Sequence, residues 1–234
     1  MSPRALNVFS KFFFLCFLIF AKLKQALVDV VASCSWLSPA IVAMELSQMI
    51  VQATTSQASP LMQLPHFTDK LVEKATDLEV EDIFDLMNME EDERGTLFKG
   101  LQQSELMDIA KACNRYPVIS MEYAVQNEEG LEASGNCRIK VKLERDALEE
   151  GEGVGPVYAP FYPKEKEESW WVVCGGENNS LAAIKRITIT KQTVNVKLDI
   201  DLPESAGKYS YKLYLMSDSY QGCDQEYKIS LNVQ

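Results

Sequence analysis

Two stretches decide the fold: Cys137-Arg138-Ile139-Lys140-Val141-Lys142-Leu143-Glu144, which alternates apolar and charged residues, and Trp170-Trp171-Val172-Val173-Cys174, which is apolar throughout. A period of two places Cys137, Ile139, Val141 and Leu143 on one face of a strand and the charged set on the other. In the second stretch neighbouring residues also face opposite ways. Trp170, Val172 and Cys174 enter a core, while Trp171 and Val173 point outward. An outward Trp beside a Val needs cover, from the preceding residues or from a partner protein. Trp170, Trp171 and Val173 are therefore the candidate protein-interface residues.

Working outward, the same period recurs. Ile119, Met121, Tyr123 and Val125 alternate with polar residues, as do Val194, Val196, Leu198 and Ile200. Tyr209–Leu215 and Tyr227–Val233 follow the rule, and Ala182–Ile189 supplies a further strand. Seven strands within about 115 residues, punctuated by Gly, Asn and Pro turns, predict an immunoglobulin or fibronectin-III type β-sandwich. Asn178-Asn179-Ser180 matches a glycosylation sequon but reads first as a turn, where Asn is favoured.

Before Pro117 the period is helical, so the fold class is an α module followed by an all-β one. Leu23, Leu27, Val30, Val31 and Cys34 make one stripe at three-to-four-residue spacing. Ser38-Pro39 reads as an N-cap followed by Pro at the first helical position. Ala40–Gln52 is apolar over more than half its circumference, which predicts a buried helix with too few partners in this chain and poor solubility for residues 1–117 alone. Thr68 can cap a helix beginning at Asp69. Val80, Ile83, Phe84, Leu86 and Met87, then Leu97, Leu101, Leu106, Ile109, Ala110 and Cys113, form the later stripes. These short helices with Asp- and Gly-containing turns resemble a helix-hairpin-helix module. Glu90-Glu91-Asp92-Glu93 reads as a solvated helix start rather than a metal site, because consecutive carboxylates point around a helix.

Residues 1–21 stand apart. Arg4 and Lys11 precede the run Phe12–Ala21, a basic-then-apolar layout like a secretory signal but about half the length of a transmembrane helix. The rest of the chain argues against secretion. Its six cysteines are scattered with no CxxC pair, as expected of reduced thiols in the cytosol or nucleus.

Charge and motif content remove most activities. The net charge is −11, with −7 on residues 22–117 and −6 on 118–234, so neither module carries the basic field of an autonomous nucleic-acid binder. Lys99, Lys111 and Arg115 are the only candidates for a weak RNA contact. The lone histidine, His66, excludes a two-His zinc site and reads as structural, beside no predictable carboxylate. Gly151, Gly153 and Gly155 precede no Lys-Ser/Thr, and there is no GxSxG elbow. No catalytic, cofactor or metal residue emerges.

Five segments carry a resemblance: Gln63–Thr68, Cys113–Pro117, Gly155–Pro163, Glu168–Val173 and Met216–Tyr227. In this order they resemble the C-terminal Sec-sixty-three-type unit of the large two-cassette DExH-box RNA helicases of the spliceosome, enzymes that unwind paired small nuclear RNAs. The related helicases of the activating signal cointegrator complex are the near alternative; the tandem Trp and Gly222–Tyr227 favour the spliceosomal branch. The resemblance implies a helical-bundle remnant at 22–58, a helix-loop-helix at 59–117 and an immunoglobulin-like sandwich at 118–234. It implies a nuclear, non-catalytic platform whose partners are spliceosomal proteins and the helicase core, with no cofactor. The RecA and winged-helix regions and most of the bundle of the family are not among these residues, and the leader 1–20 matches nothing in it. The alternatives are an RNA-contacting accessory module and an endoplasmic-reticulum translocation factor of the same domain type. The latter calls for membrane spans and a J domain that the sequence does not show, so no membrane association is expected.

Overall fold

The computed structural model describes residues 23, 25–146 and 153–234; the leader 1–21 lies outside them. Helical residues 25–33 (α1) lead into α2, Leu37–Gln52. A 3-10 turn at Pro60–Gln63 precedes α3 (Asp69–Asp77), α4 (Ile83–Asn88), α5 (Glu91–Leu97) and α6 (Gln103–Arg115). The strands are β1 (Ile119–Val125), β2 (Asn136–Arg145), β3 (Ser169–Gly175), β4 (Leu181–Thr188), β5 (Thr193–Asp201), β6 (Gly207–Ser217) and β7 (Gln225–Val233). Each of the seven predicted strand stretches is a strand.

They form two antiparallel sheets, ordered β1-β2-β5 and β4-β3-β6-β7. Alternation on β2 and β5 sends Ile139, Val141, Leu198 and Ile200 inward against Trp170, Val172, Leu213 and Leu215 of the other sheet. That core does not stop at the sheets. Leu61, Phe67, Ile83, Ile109 and Tyr116 from the helical residues belong to the same continuous cluster.

The outer face of the four-stranded sheet has its own cover. Trp171, Val173 and Met216 lie under Leu37, Ala40, Ala43 and Met44 of α2 and Val28 of α1. β3 is therefore buried along its whole length, one face by the opposite sheet and the other by helices. Ala40 and Ala43 let α2 approach closely. Gly175 completes the fit, since a Cβ there would overlap the Leu37 side chain.

Four local expectations change, the first being that Thr68 occupies the α3 N-cap position but makes no side-chain cap hydrogen bond. The α1 stripe Leu23, Leu27, Val30 and Cys34 is exposed, and the side chain that reaches the sheet is Val28, with Val31 and Ala32 partly covered. Periodicity found an apolar face but could not tell that the sheet would take its neighbour. α2 is buried on one side only: Val42 and Leu46 face solvent, because among the described residues no element packs beyond it. The α2 N-cap position is Trp36, which makes no side-chain cap. Instead Asn179 of the β3–β4 turn accepts from Ser38 N at 3.0 Å and Ser38 Oγ at 2.5 Å. The orphan donor is satisfied from 141 residues away in sequence, which no local reading anticipates.

Candidate functional site

The five segments quoted above, scattered in sequence, meet at the junction of helices and sheets. The loop Asp218–Asp224 between β6 and β7 is its hub. Three polar side chains of α2 grip this region: Ser47 Oγ donates to Asp218 O (2.8 Å), Gln48 Nε2 to Ser217 O (2.9 Å) and Gln52 Nε2 to Ser219 O (2.9 Å). Gln63 clamps Gln221, accepting from its N–H at 2.8 Å and donating to its carbonyl at 3.0 Å. Tyr116 OH donates to the same carbonyl at 2.6 Å, and Tyr158 N to Tyr220 OH at 2.9 Å. Gly222, at φ +86°, lets the loop turn against Pro60 and Tyr116.

Two buried charge groups lock the same junction. Arg145 Nη1 contacts both carboxylate oxygens of Glu168 at 2.5 and 2.6 Å, while its Nη2 donates to Arg115 O at 3.1 Å. Trp170 Nε1 donates to Glu168 Oε1 at 2.9 Å, so the inward Trp is also a polar anchor. Asp218 accepts from Lys166 Nζ (2.6 Å), Arg186 Nη2 (2.8 Å) and Ser219 Oγ. Burial works to raise the Asp218 carboxyl, but Lys166 and the hydrogen bonds around it hold it below its ordinary value. Burial lifts Asp224 to about 6, against the hydrogen bonds from Gln48 and Ser217. Glu168 and Asp218 have cationic partners, while Asp224 has only hydrogen-bond donors. This junction ties the helices to the sheets.

The open feature lies on the helical module. α4 starts with a capping box, Asp85 N to Asp82 Oδ1 at 2.9 Å, and Arg94 of α5 closes its other end by donating to Met87 O and Met89 O. α6 starts with a second box, Gln102 N to Glu105 Oε2 at 2.7 Å. The three helices surround a groove of about 660 Å³. Leu86, Met87, Phe98, Leu106, Met107 and Cys113 line it, with Glu91, Gln103 and Asn114 at the rim. Leu106 and Ala110, expected in the core, line this groove instead. Burial pushes the Cys113 thiol up to about 11, so it stays protonated at neutral pH and is no nucleophile. An apolar, Met-containing groove of this size has the character of a site for an apolar side chain.

The candidate residues named from sequence are distributed as follows. Trp170, Trp171 and Val173 are all buried, the second and third under α2. Arg186 adds its guanidinium 5.7 Å over the Trp171 ring. Lys111 and Arg115 are exposed one turn apart on α6, and Lys99 is exposed on the loop before it. His66 does have carboxylates beside it: Nε2 lies 3.0 Å from Asp108 Oδ2 and Nδ1 lies 3.9 Å from Glu105. The helical spacing of Glu105 and Asp108 on α6 brings both to the turn before α3, a tether invisible along the sequence. Among the described residues no group of three or more His, Cys, Asp or Glu could hold a metal, and no helix is long and apolar enough to cross a membrane.

A family model, the Sec63 Brl domain, matches residues 19–230. The human U5 small nuclear ribonucleoprotein 200 kDa helicase is 48% identical over 213 residues, covering 91% of this chain and 10% of that protein. The Arabidopsis thaliana DExH-box ATP-dependent RNA helicase DExH12 is 44% identical over 216 residues, with the same two coverages. The Dictyostelium discoideum activating signal cointegrator 1 complex subunit 3-like protein is 42% identical over 217 residues, covering 89% of this chain and 10% of its own length. The chain thus spans about a tenth of these relatives.

Proposed function

The chain belongs to the Sec63 Brl domain family, and on that premise we propose that it is a non-catalytic protein-interaction and regulatory platform in pre-mRNA splicing, acting in the nucleus with spliceosomal proteins and the core of a helicase. One observation carries the reading. The groove between α4, α5 and α6 is apolar and open, while the buried charges of the junction are paired within the chain. The similarity to spliceosomal U5 helicases supplies the process and the partner class. The division into 22–58, 59–117 and 118–234 is part of the same proposal, as is the immunoglobulin-like character of the last unit. The strand orders β1-β2-β5 and β4-β3-β6-β7 support that character.

The test is capture from nuclear extract by the immobilised chain, with bound proteins identified by mass spectrometry. U5 or other splicing proteins are expected, and Met107→Glu, which puts a charge into the groove, should lower their recovery about tenfold. Recovery of no splicing protein, or turnover of ATP by the purified chain, overturns the proposal.

A second reading, an RNA-contacting accessory role, rests on Lys111 and Arg115 being exposed one turn apart on α6, with Lys99 exposed in the turn before that helix. Three phosphate contacts would give single-stranded RNA binding a log–log salt slope of about −2. A titration across salt that shows no binding removes it.

A further inference from the structure

We propose that the outer faces of α1 and α2 form a self-association surface whose occupant is a second copy of this chain. The two helices have used one side each on the sheet, yet both carry a second apolar stripe. At the α1 end it is Leu23, with Leu27 and Val30 of α1, at i, i+4 and i+7; on α2 it includes Val42 and Leu46, at i and i+4. Trp36, at the turn between them, is 56% exposed, and Val30 and Val42 are 62% and 58% exposed. Elsewhere among the described residues large exposed hydrophobics occur singly, at Met107, Tyr123 and Phe161. Six within residues 23–46 are not the scatter expected of a finished surface.

Area and charge favour a second copy. Six such side chains present on the order of 500 Å² of apolar surface, at the upper end of what a monomer leaves open. Two copies face to face bury roughly 1,000 Å², where specific interfaces begin. Residues 25–33 and 37–52 hold one charged residue each, Asp29 and Glu45, in a chain of net charge −11. This is the surface on which two such acidic chains can meet with little like-charge contact. Two helices from each copy make four, the number that closes a bundle, and a two-fold axis makes the contact self-limiting. The polar side of α2, with Ser47, Gln48 and Gln52, is already committed to the β6–β7 region, and among the described residues nothing covers the exposed stripe.

The experiment is sedimentation equilibrium on the full chain at micromolar concentration, at low and physiological salt. The expected result is a mass twice that of one chain, with tighter association as salt screens the net charge. Val42→Glu combined with Leu46→Glu should halve the mass while leaving the far-ultraviolet circular dichroism as it was, since both side chains face solvent, and should lower the melting temperature only by the stabilisation that association supplied. Met107→Glu, in the groove, should leave the dimer intact. A monomeric full chain, a series of higher masses, or a dimer that survives the double substitution would each overturn the proposal.

Discussion

Arg145 and Glu168 show why a single residue can decide this fold. Both are almost fully buried, and they join the end of β2, the core Trp170 and the carbonyl that ends α6. Glu168→Ala would strand a guanidinium in the core, a loss of about 3–5 kcal/mol out of a typical total of about 5–15 kcal/mol. Urea denaturation should show it as a large drop in midpoint. Glu122→Ala, at the exposed pair with Lys142, should change nothing measurable. Asp224 makes a different prediction. Its folded carboxyl titrates at about 6, so between pH 4 and about 6 the folded chain holds a proton that the unfolded chain releases. The Asp224 contribution therefore falls as pH rises through that window, by on the order of 2–3 kcal/mol. Asp218, held low, contributes in the opposite sense and is lost only at more acidic pH. Stability measured from pH 4 to 6 should slope less steeply downward in Asp224→Asn than in the parent chain.

At the scale of elements, α2 carries the argument. One turn of it is read by small residues against β3, the next by amides against the β6–β7 region. Gln48→Leu keeps the volume but removes the amide from which Ser217 O and Asp224 Oδ2 accept, leaving Asp224 only the Ser217 N–H, and should cost about 1–3 kcal/mol. Gly175→Val drives a side chain into Leu37 and should cost about 1–3 kcal/mol by pushing α2 off the sheet. Trp171 reports the difference: its fluorescence should shift to the red in Gly175→Val, where the cover lifts, and stay put in Asp82→Ala, which only frays α4. Strand existence and register faces were legible because a period of two survives every tertiary context. The polar contacts of α2 were not. Ser47, Gln48 and Gln52 look like the solvent side of a helix, and their partners are carbonyls more than 160 residues away.

For the whole molecule, the continuous core makes the helices and sheets interdependent. Residues 118–234 expressed alone would expose Trp171, Val173 and Met216, and would lose the Tyr116 contact with Tyr220. The expectation is a broad melt with dye binding to exposed apolar surface, and restoration of a sharp transition when residues 23–117 are included. A sharp, dye-silent melt of 118–234 would instead mean that its two sheets stabilise themselves. The candidate groove was partly legible. Leu86, Met87, Leu106 and Cys113 were read as apolar stripes, but a stripe does not say whether its space is filled.

Periodicity, charge and motif content, all properties of neighbours along the chain, established seven strands after a helical half, the absence of catalytic motifs and the resemblance to a helicase family. What lies across space was settled by packing alone. Trp171 is roofed by α2, the stripe of Leu23, Leu27 and Val30 is left bare, and His66 finds its carboxylates on α6. The reason is physical: hydrophobic burial has no direction, so a pattern shows which faces must be covered, and only the arrangement of all the elements decides what covers them.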